Sequence, residues 1–207
     1  MPPIETATSV LILWGVIGYL LGSIPSGMIL ARVMKLGNLR EIGSGNIGAT
    51  NVLRTGNKTA AALTLLFDAA KGAIAVFLAG TLAALDAAQL AGLMAFIGHC
   101  FPVWLRFKGG KGVATYLGII GVLAWPMLLA GCAIWLIVAA VFRYSSAAAL
   151  VMAGWLPVVM MLTGYGYMAF LSMALGLLIY ARHWSNIQRM KAGTETKIGA
   201  KKTPEAP

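Results

Sequence analysis

The feature that most constrains this chain is where its charges are missing. Charged side chains leave uncharged runs of 26, 19, 31 and 38 residues, at Thr6–Ala31, Ala87–Leu105, Gly112–Phe142 and Tyr144–Ala181. A helix needs roughly 20 apolar residues to cross the hydrocarbon core of a bilayer. The first two runs therefore each suit one membrane-spanning helix, and the last two are long enough for two helices each.

The composition excludes the main alternatives. The chain is 59% hydrophobic and 11% charged, whereas soluble domains are about 45–50% apolar and about 25% charged. Disordered chains are rich in charge and poor in apolar residues, so disorder is excluded by the same figures. The sequence predicts an all-α, polytopic integral membrane protein of one domain.

Local breakers divide the runs into seven predicted transmembrane helices. Trp125-Pro126 and the Thr163–Tyr167 stretch interrupt the two longest runs. A further run of 14 uncharged residues, Gly72–Leu85, is long enough only if the helix starts near residue 60. Asp68 and Lys71 then lie inside that helix, three positions apart, where they can pair. The predicted helices are at about 7–31, 60–85, 87–105, 112–125, 127–142, 145–163 and 165–181.

The signs of the charges predict the orientation. With seven spans and the C-terminus inside, the inner segments hold 15 of the 16 Lys and Arg residues, and the other is Lys71 within a helix. The outer segments hold only Glu5 and Asp86. Because positive charge gathers on the cytoplasmic side, we expect the N-terminus outside and the C-terminus in the cytoplasm. The net charge of +10 then reflects orientation and contact with anionic lipids, and nucleic-acid binding is not expected.

The first inner segment, residues 32–59, is termed the first basic loop. It contains Gly43-Ser-Gly-Asn-Ile-Gly-Ala-Thr-Asn51, followed by Arg54. Its glycine spacing matches a dinucleotide fingerprint, but that motif needs a βαβ unit and the neighbours here are membrane helices. Glycine amides, small polar donors and an arginine fork also suit a phosphate, particularly before a helix start. A capped turn, with Asn57 or Thr59 as the helix cap, explains the same residues, and both interpretations stay open.

The second inner segment is short and rich in glycine. It reads Arg106-Phe-Lys108-Gly-Gly-Lys111-Gly-Val-Ala-Thr115, and residues 106–112 are termed the glycine-rich loop. A P-loop has Ser or Thr after its lysine, whereas Lys111 precedes Gly112. The glycines and lysines before a helix nevertheless predict a cradle for phosphate. A simple turn that carries orienting positive charge is the alternative.

The C-terminal inner segment, from residue 182, combines His183, Asn186 and Arg189. If the last helix continues past Ala181, His183 and Asn186 share a face. His183 can act as a general base or as a phosphate ligand. An amphipathic helix end, anchored at the membrane interface by Trp184, is the competing interpretation. His99, near the end of the third predicted helix, fits a satisfied helix-end histidine better than a site residue.

These motifs resemble those of the bacterial acyl-phosphate:glycerol-3-phosphate acyltransferase family, PlsY. The resemblance runs from about residue 10 to residue 196, through Gly22-Ser-Ile-Pro-Ser-Gly27, Gly43–Asn51, Gly98-His99, Phe107–Thr115 and Arg182-His-x-x-Asn-Ile-x-Arg189. It implies a multi-pass protein of the bacterial inner membrane whose active site faces the cytoplasm. The expected organisation is a seven-helix catalytic domain at 1–197, followed by a solvated tail at 198–207.

The resemblance also implies an activity. A fatty acyl phosphate would donate its acyl group to the 1-hydroxyl of glycerol 3-phosphate, as the first acylation of phospholipid synthesis. The products would be 1-acylglycerol 3-phosphate (lysophosphatidic acid) and inorganic phosphate. Neither a metal nor another cofactor is implied. The implied partners are the two substrates, membrane lipids and an enzyme that produces acyl phosphate.

Residue roles follow from the matching positions. The predicted catalytic residues are Ser44, Arg54, Lys111, His183 and Asn186. The predicted substrate contacts lie in the two loops, at Gly43, Gly45, Asn46, Thr50, Asn51, Lys108, Gly109, Gly110 and Gly112. The trailing Gly193-x-Glu195 is expected to be structural. The hydroxyl proton could pass to His183 or to the leaving phosphate, and the sequence does not choose between them.

Two other classes of protein use similar features. A transporter for an organic phosphate anion would need basic, glycine-rich elements and broken helices. Its polar motifs would lie near the bilayer midplane, however, whereas here they gather on one predicted side. A non-catalytic membrane scaffold would leave the three polar motifs unexplained.

Overall fold

The computed structural model describes residues 2–199 of the 207-residue chain, and all regular secondary structure in that part is helical. The α-helices are α1 (Thr8–Gly22), α2 (Ser26–Val33), α3 (Ala49–Val52), α4 (Lys58–Leu82), α5 (Leu85–Cys100), α6 (Val113–Leu123), α7 (Trp125–Phe142), α8 (Ser145–Leu162), α9 (Gly166–Arg182) and α10 (Trp184–Lys191). Two short 3-10 helices lie between these elements, at Leu53–Thr55 after α3 and at Val103–Leu105 after α5. The predicted all-α fold class is confirmed for these residues.

Five segments are long and apolar enough to cross a membrane: Thr8–Val33, Lys58–Leu82, Leu85–Leu105, Trp125–Phe142 and Ser145–Leu162. Helices α6 and α9 are also apolar but shorter, at 11 and 17 residues. These segments coincide with the seven apolar stretches predicted from the sequence, with ends that differ by a few residues. That all seven cross the membrane, and in which orientation, stays a prediction.

The first predicted helix, 7–31, is interrupted between α1 and α2. Pro25 has no amide hydrogen and cannot continue the helical hydrogen-bond ladder, so nearby carbonyl groups need other donors. The carbonyl of Ile24 accepts a 3.0 Å hydrogen bond from the ammonium of Lys71 on α4. A charged side chain of one membrane segment thus satisfies the broken backbone of another.

The same lysine belongs to a buried polar cluster. Its ammonium lies 3.0 Å from the Asp68 carboxylate, which confirms the ion pair predicted from the sequence. The same carboxylate oxygen accepts a 2.5 Å hydrogen bond from the hydroxyl of Ser26 and lies 3.5 Å from Nδ1 of His99. Burying charge among membrane helices is costly unless the charges are paired. Here Ser26 and Lys71 pair with the Asp68 carboxylate, and His99 lies beside it.

Glycines bring the helices into close contact. A Cβ on Gly22 of α1 would lie 1.9 Å from the carbonyl oxygen of Ala95 on α5, and one on Gly118 of α6 would lie 2.1 Å from that of Ala69 on α4. Neither carbonyl can move without bending its helix. Small residues at such crossings let backbones approach closely, which is how membrane helices associate without a strong hydrophobic driving force.

The three segments that carry the predicted site residues lie together at one end of the helix bundle. The guanidinium of Arg40, in the first basic loop, donates to the carbonyl of Lys108 in the glycine-rich loop. The guanidinium of Arg182, at the end of α9, donates to the carbonyls of Gly109 and Gly110. These contacts assemble the candidate site from parts that are far apart in the sequence.

The chain contacts the bundle at Ile198, the first residue of the predicted solvated tail, 198–207. The amide of Ile198 donates a 2.7 Å hydrogen bond to the carbonyl of Arg143, and the Arg143 guanidinium donates back to the carbonyl of Ile198 at 3.1 Å. Residues 200–207 of that predicted tail lie outside the described residues. The docked segment carries Glu195 back over the same end of the bundle.

Candidate active site

A polar cavity lies where the first basic loop meets the C-terminal segment. Its volume is about 180 Å³, and its lining comprises Gly43, Ser44, Arg54, Arg189, Glu195 and Thr196. A water molecule occupies about 30 Å³ of liquid volume, so the cavity has room for a small polar molecule. Three predicted site residues, Gly43, Ser44 and Arg54, share it with residues of the C-terminal segment.

Asn51 organises the first basic loop. Its side-chain oxygen accepts hydrogen bonds from the amide of Ser44 at 3.0 Å and from the Ser44 hydroxyl at 3.3 Å. Its amide nitrogen donates to the carbonyls of Leu39 and Asn46 at 3.0 and 2.8 Å. The side chain is buried and both of its ends are engaged within the loop. Asn51 therefore fixes the conformation that presents Ser44.

Gly43 leaves the space that the Arg54 side chain occupies. Gly43 has φ +55°, in the left-handed region, and a Cβ there would lie 2.6 Å from both Cδ and a terminal nitrogen of Arg54. A side chain at position 43 would thus displace the guanidinium from the cavity wall. The α3 helix that follows has only four residues, so it adds little of the helix-dipole attraction expected from the sequence. Asn57 caps α4, as one predicted interpretation required, by accepting the Ala60 amide at 2.9 Å.

The glycine-rich loop uses its backbone differently from the prediction. The amides of Gly109 and Gly110 donate 3.0 Å hydrogen bonds to the carbonyls of Cys100 and His99. These amides therefore do not form the phosphate cradle expected from the sequence, because the last carbonyls of α5 need donors. Within the described part of the chain, the amides of Lys111 and Gly112 have no hydrogen-bond acceptor. These two amides without an acceptor lie at the start of α6, beside the Lys111 side chain.

Lys111 joins the loop to the C-terminal segment through a chain of hydrogen bonds. Its ammonium donates to the side-chain oxygen of Asn186 at 2.5 Å, and the Asn186 amide nitrogen donates to Glu195 at 2.6 Å. Glu195 also accepts from the Ser146 hydroxyl and from Arg189, both at 2.7 Å. The carboxylate thereby orients the Asn186 amide so that its oxygen faces Lys111.

The charges of the site act on this lysine. Burial lowers the pKa of the Lys111 ammonium to about 8, and the nearby carboxylate of Glu195 opposes that fall. The guanidinium groups of Arg189, Arg54 and Arg182 lower it further. A site with this excess of positive charge attracts an anion, and a bound anion would in turn stabilise the charged lysine.

His183 lies at the junction of α9 and α10 and is buried. Burial, reinforced by the charge of Lys111, lowers the pKa of its imidazole to about 4. Nδ1 lies 2.9 Å from the carbonyl oxygen of Ile179, which can only accept. The neutral ring therefore carries its proton on Nδ1, and Nε2 has a free lone pair with which it could accept one.

The other predicted residues lie at the edge of this arrangement. The side chain of Lys108 is exposed, while its carbonyl accepts from Arg40. Thr50 is also exposed, with its hydroxyl 3.3 Å from that of Ser145. The carbonyl of Gly45 accepts from Arg40 at 3.2 Å. Asn46 contributes its carbonyl to Asn51, as described above, so these positions shape the loop around Ser44 and Arg54.

Sequence reasoning did not assign Glu195 and Arg189 to the site. Glu195 was expected to be structural, and Arg189 appeared only as part of the C-terminal motif without a role in the site. One signal was available. The chain has only six acidic residues, and a carboxylate within a strongly basic segment indicates an ion pair with its neighbours. Here it neutralises part of the positive charge and orders the donors around the cavity.

Comparison with known proteins links this arrangement to one family. The family model described as "Glycerol-3-phosphate acyltransferase" matches residues 12–193. A protein named glycerol-3-phosphate acyltransferase from Ruegeria sp. (strain TM1040) is 61% identical, and the match covers 97% of this chain and 100% of that protein. One of the same name from Jannaschia sp. (strain CCS1) is 59% identical, and the match covers 96% of this chain and 98% of that protein. A crystal structure of PlsY (YgiH), described as an integral membrane glycerol 3-phosphate acyltransferase in its glycerol 3-phosphate form, has a TM-score of 0.86. It is 35% identical, and the match covers 91% of this chain and 96% of that one.

Proposed function

The chain belongs to the glycerol-3-phosphate acyltransferase family, and from this premise we propose that it acylates glycerol 3-phosphate with acyl phosphate as the donor. The acyl group passes to the 1-hydroxyl, and the products are 1-acylglycerol 3-phosphate and inorganic phosphate. A related crystal structure is described as a lysophosphatidic acid form of an enzyme of this kind. The reaction would be the first acylation of phospholipid synthesis.

The observation that carries the proposal is the convergence of cations around one polar cavity. Arg54 and Arg189 line the cavity together with the hydroxyl-bearing Ser44. Lys111 lies close enough to these arginines for their charges to lower its pKa. Two anionic substrates repel each other, and opposing charges held in place offset that repulsion. Much of the rate can then come from positioning alone.

The chemistry needs few protein groups. The substrate hydroxyl oxygen attacks the acyl carbon, the bond from that carbon to the phosphate oxygen breaks, and the phosphate leaves with the electron pair. The carbonyl oxygen gains negative charge on the way, and fixed cations and amides stabilise it. Lys111 and the free amides at the start of α6 are suited to this role, while Arg54 and Ser44 hold glycerol 3-phosphate.

The proton of the attacking hydroxyl needs an acceptor. Nε2 of His183 carries a free lone pair, but the low pKa of about 4 makes the ring a weak base before substrates bind. As its bond to the acyl carbon breaks, the donor phosphate gains an electron pair and becomes more basic. We propose this phosphate as the proton acceptor, with His183 as a hydrogen-bond partner in the site.

We also propose that the protein spans the bacterial inner membrane seven times with the cavity on the cytoplasmic side. The three basic segments meet at one end of the bundle, and the positive-inside rule assigns such an end to the cytoplasm. There it would meet water-soluble glycerol 3-phosphate and an enzyme that supplies acyl phosphate. The acyl chain would enter between helices from the surrounding lipid.

The experiment is a donor test with purified protein in detergent. Palmitoyl phosphate plus glycerol 3-phosphate should release inorganic phosphate and form 1-palmitoylglycerol 3-phosphate in equal amounts. Phosphate release should require glycerol 3-phosphate, and palmitoyl-CoA should give no product. Transfer from palmitoyl-CoA alone would overturn the donor. No transfer from either donor by folded protein would favour the transporter alternative, which uptake into proteoliposomes would test.

A further inference from the structure

The buried polar cluster of α4 and α5 contains one side chain without a defined partner. His99 is 4% exposed, and its Nδ1 makes no hydrogen bond within the described residues. The nearest acceptor is the Asp68 carboxylate oxygen at 3.5 Å. That carboxylate is held by Ser26 and Lys71, as described above, so the imidazole has a fixed negative charge on one side.

The other side of the imidazole meets the glycine-rich loop. A Cβ on Gly110 would lie 2.1 Å from Nε2 and 2.7 Å from Cε1 of His99. The edge of the ring therefore fills the space in which a side chain at position 110 would lie. The two residues also contact each other through the backbone, since the Gly110 amide donates to the His99 carbonyl at 3.0 Å.

Arg182 holds the loop through its carbonyl groups. Its guanidinium donates at 3.0 Å to the carbonyl of Gly110 and at 3.1 Å to that of Gly109. The same guanidinium lies 5.1 Å from the centre of the Phe101 ring. The two glycines are thus clamped between α5 and the end of α9. The next residue is Lys111. The position of the two glycines relative to α5 therefore sets where the Lys111 ammonium and the start of α6 lie.

We propose that His99, oriented by Asp68, is a positioning residue that sets the glycine-rich loop and through it Lys111 for the acyl donor. The identity of that donor rests on the proposed function. A carboxylate beside one ring nitrogen orients an imidazole, as in hydrolase and metal sites. Here the orientation directs Nε2 at Gly110. If the imidazole could rotate, the loop could move closer to α5 or further from it.

The geometry allows a direct test by double substitution. Gly110→Ala should cost at least about 100-fold in kcat/KM, because its methyl group collides with the imidazole and moves the loop. His99→Ala removes the obstacle, so the double variant should regain at least about tenfold over Gly110→Ala. Recovery of this kind measures coupling between the two residues.

Gly109 provides the matched control. A Cβ there would lie 2.1 Å from the His99 carbonyl oxygen and 2.6 Å from that of Cys100. These are backbone atoms, which remain when the imidazole is removed. Gly109→Ala should therefore be as damaging as Gly110→Ala, and His99→Ala should not rescue it. Equal rescue at both positions would overturn the proposal, since it would show general loosening of the loop.

A second readout separates positioning from stability. His99→Asn, which is shorter than histidine, should raise the KM for palmitoyl phosphate at least about fivefold and change the KM for glycerol 3-phosphate less than about twofold. Asp68→Asn should move the donor KM in the same direction by freeing the ring. Equal changes in both KM values, or no recovery in the folded double variant, would overturn the proposal.

Folding is followed by thermal unfolding of each variant in detergent. If none of His99→Ala, His99→Asn and His99→Ser folds, the residue is structural and the positioning role is wrong. The experiment also separates this inference from the proposed function. If wild-type protein uses another acyl donor, the proposed donor fails, and the same set of variants measured with that other donor still decides the role of His99.

Discussion

The ammonium of Lys111 donates a 2.5 Å hydrogen bond to the side-chain oxygen of Asn186, a residue 75 positions further along the chain. Lys111 follows the paired glycines of the loop, and Asn186 lies on α10. The Asn186 amide nitrogen is held by Glu195 at 2.6 Å, so the oxygen cannot turn away. This contact joins the glycine-rich loop to the C-terminal segment, and so brings together two of the three segments that carry predicted catalytic residues.

Removing the lysine should abolish most of the activity without unfolding the protein. Lys111→Ala deletes a positive charge from the proposed site, and we expect kcat/KM to fall at least about 100-fold. Its melting temperature should change little, because Asn186 retains Glu195 as a partner. Lys58→Ala is the matched control, since that side chain is exposed at the start of α4. Near-normal turnover of Lys111→Ala would remove the lysine from the site.

The alkaline limb of the pH profile should report Lys111. The pKa of its ammonium is about 8, so the charged form predominates below that pH and is lost above it. Activity that needs the charge should therefore fall as the pH rises through about 8. In kcat/KM this limb reflects the enzyme before substrates bind. A flat profile up to pH about 10 would contradict the assignment.

Two neighbours should shift that limb in opposite directions. The Glu195 carboxylate raises the pKa of Lys111, whereas the Arg189 guanidinium lowers it. Glu195→Gln should therefore move the alkaline limb to lower pH, and Arg189→Gln should move it to higher pH. The measurement is the pH dependence of kcat/KM for each folded variant. Shifts of the same sign would show that another group controls the limb.

Gly43 should be essential for the arginine that it faces. Gly43→Ala introduces a methyl group 2.6 Å from Arg54 atoms, and we expect kcat/KM for glycerol 3-phosphate to fall at least about 30-fold. Gly37→Ala is the control, because Gly37 also has a positive φ, of +83°, but no atoms within 4 Å of the added Cβ. It should cost about 1–2 kcal/mol of stability and leave turnover nearly unchanged. Equal losses at both glycines would point to backbone strain alone.

The orientation can be tested by labelling. In a variant whose two native cysteines are replaced, a cysteine added after residue 207 should react with an impermeant maleimide only after the cells are permeabilised. Cys100 and Cys132 are the ones to replace. A cysteine at Pro3 should instead react in intact spheroplasts. The reverse pattern would overturn the predicted topology.

Much of the fold could be predicted because membrane insertion depends on local composition. The apolar runs identified the helical segments, and the spacing of Asp68 and Lys71 identified their ion pair. The contacts at the break between α1 and α2 could not be predicted, because Pro25 reveals that a ladder ends but not which donors satisfy its carbonyls. The Ile24 carbonyl accepts from Lys71, on another helix, as well as from the nearby Ser26 amide.

Less of the site could be predicted. The glycines at 109 and 110 suggested amides free for phosphate, yet these amides satisfy the last carbonyls of α5. The substrate contact predicted for Asn51 stays a prediction, and the sequence did not reveal that its side chain organises the loop around Ser44. In both cases the residue type was informative, but the partner was a backbone group that local sequence does not specify.

The sequence alone determined that this chain is an all-helical membrane protein whose polar chemistry lies in three basic segments. Transfer of apolar side chains into lipid and the sign of flanking charges depend on composition, which can be read along the chain. The tertiary structure decided which side chains of those segments meet, because hydrogen bonds and ion pairs require distances of about 3 Å. The contacts of Lys111 with Asn186 and of Glu195 with Ser146 therefore become visible only once the helices have packed.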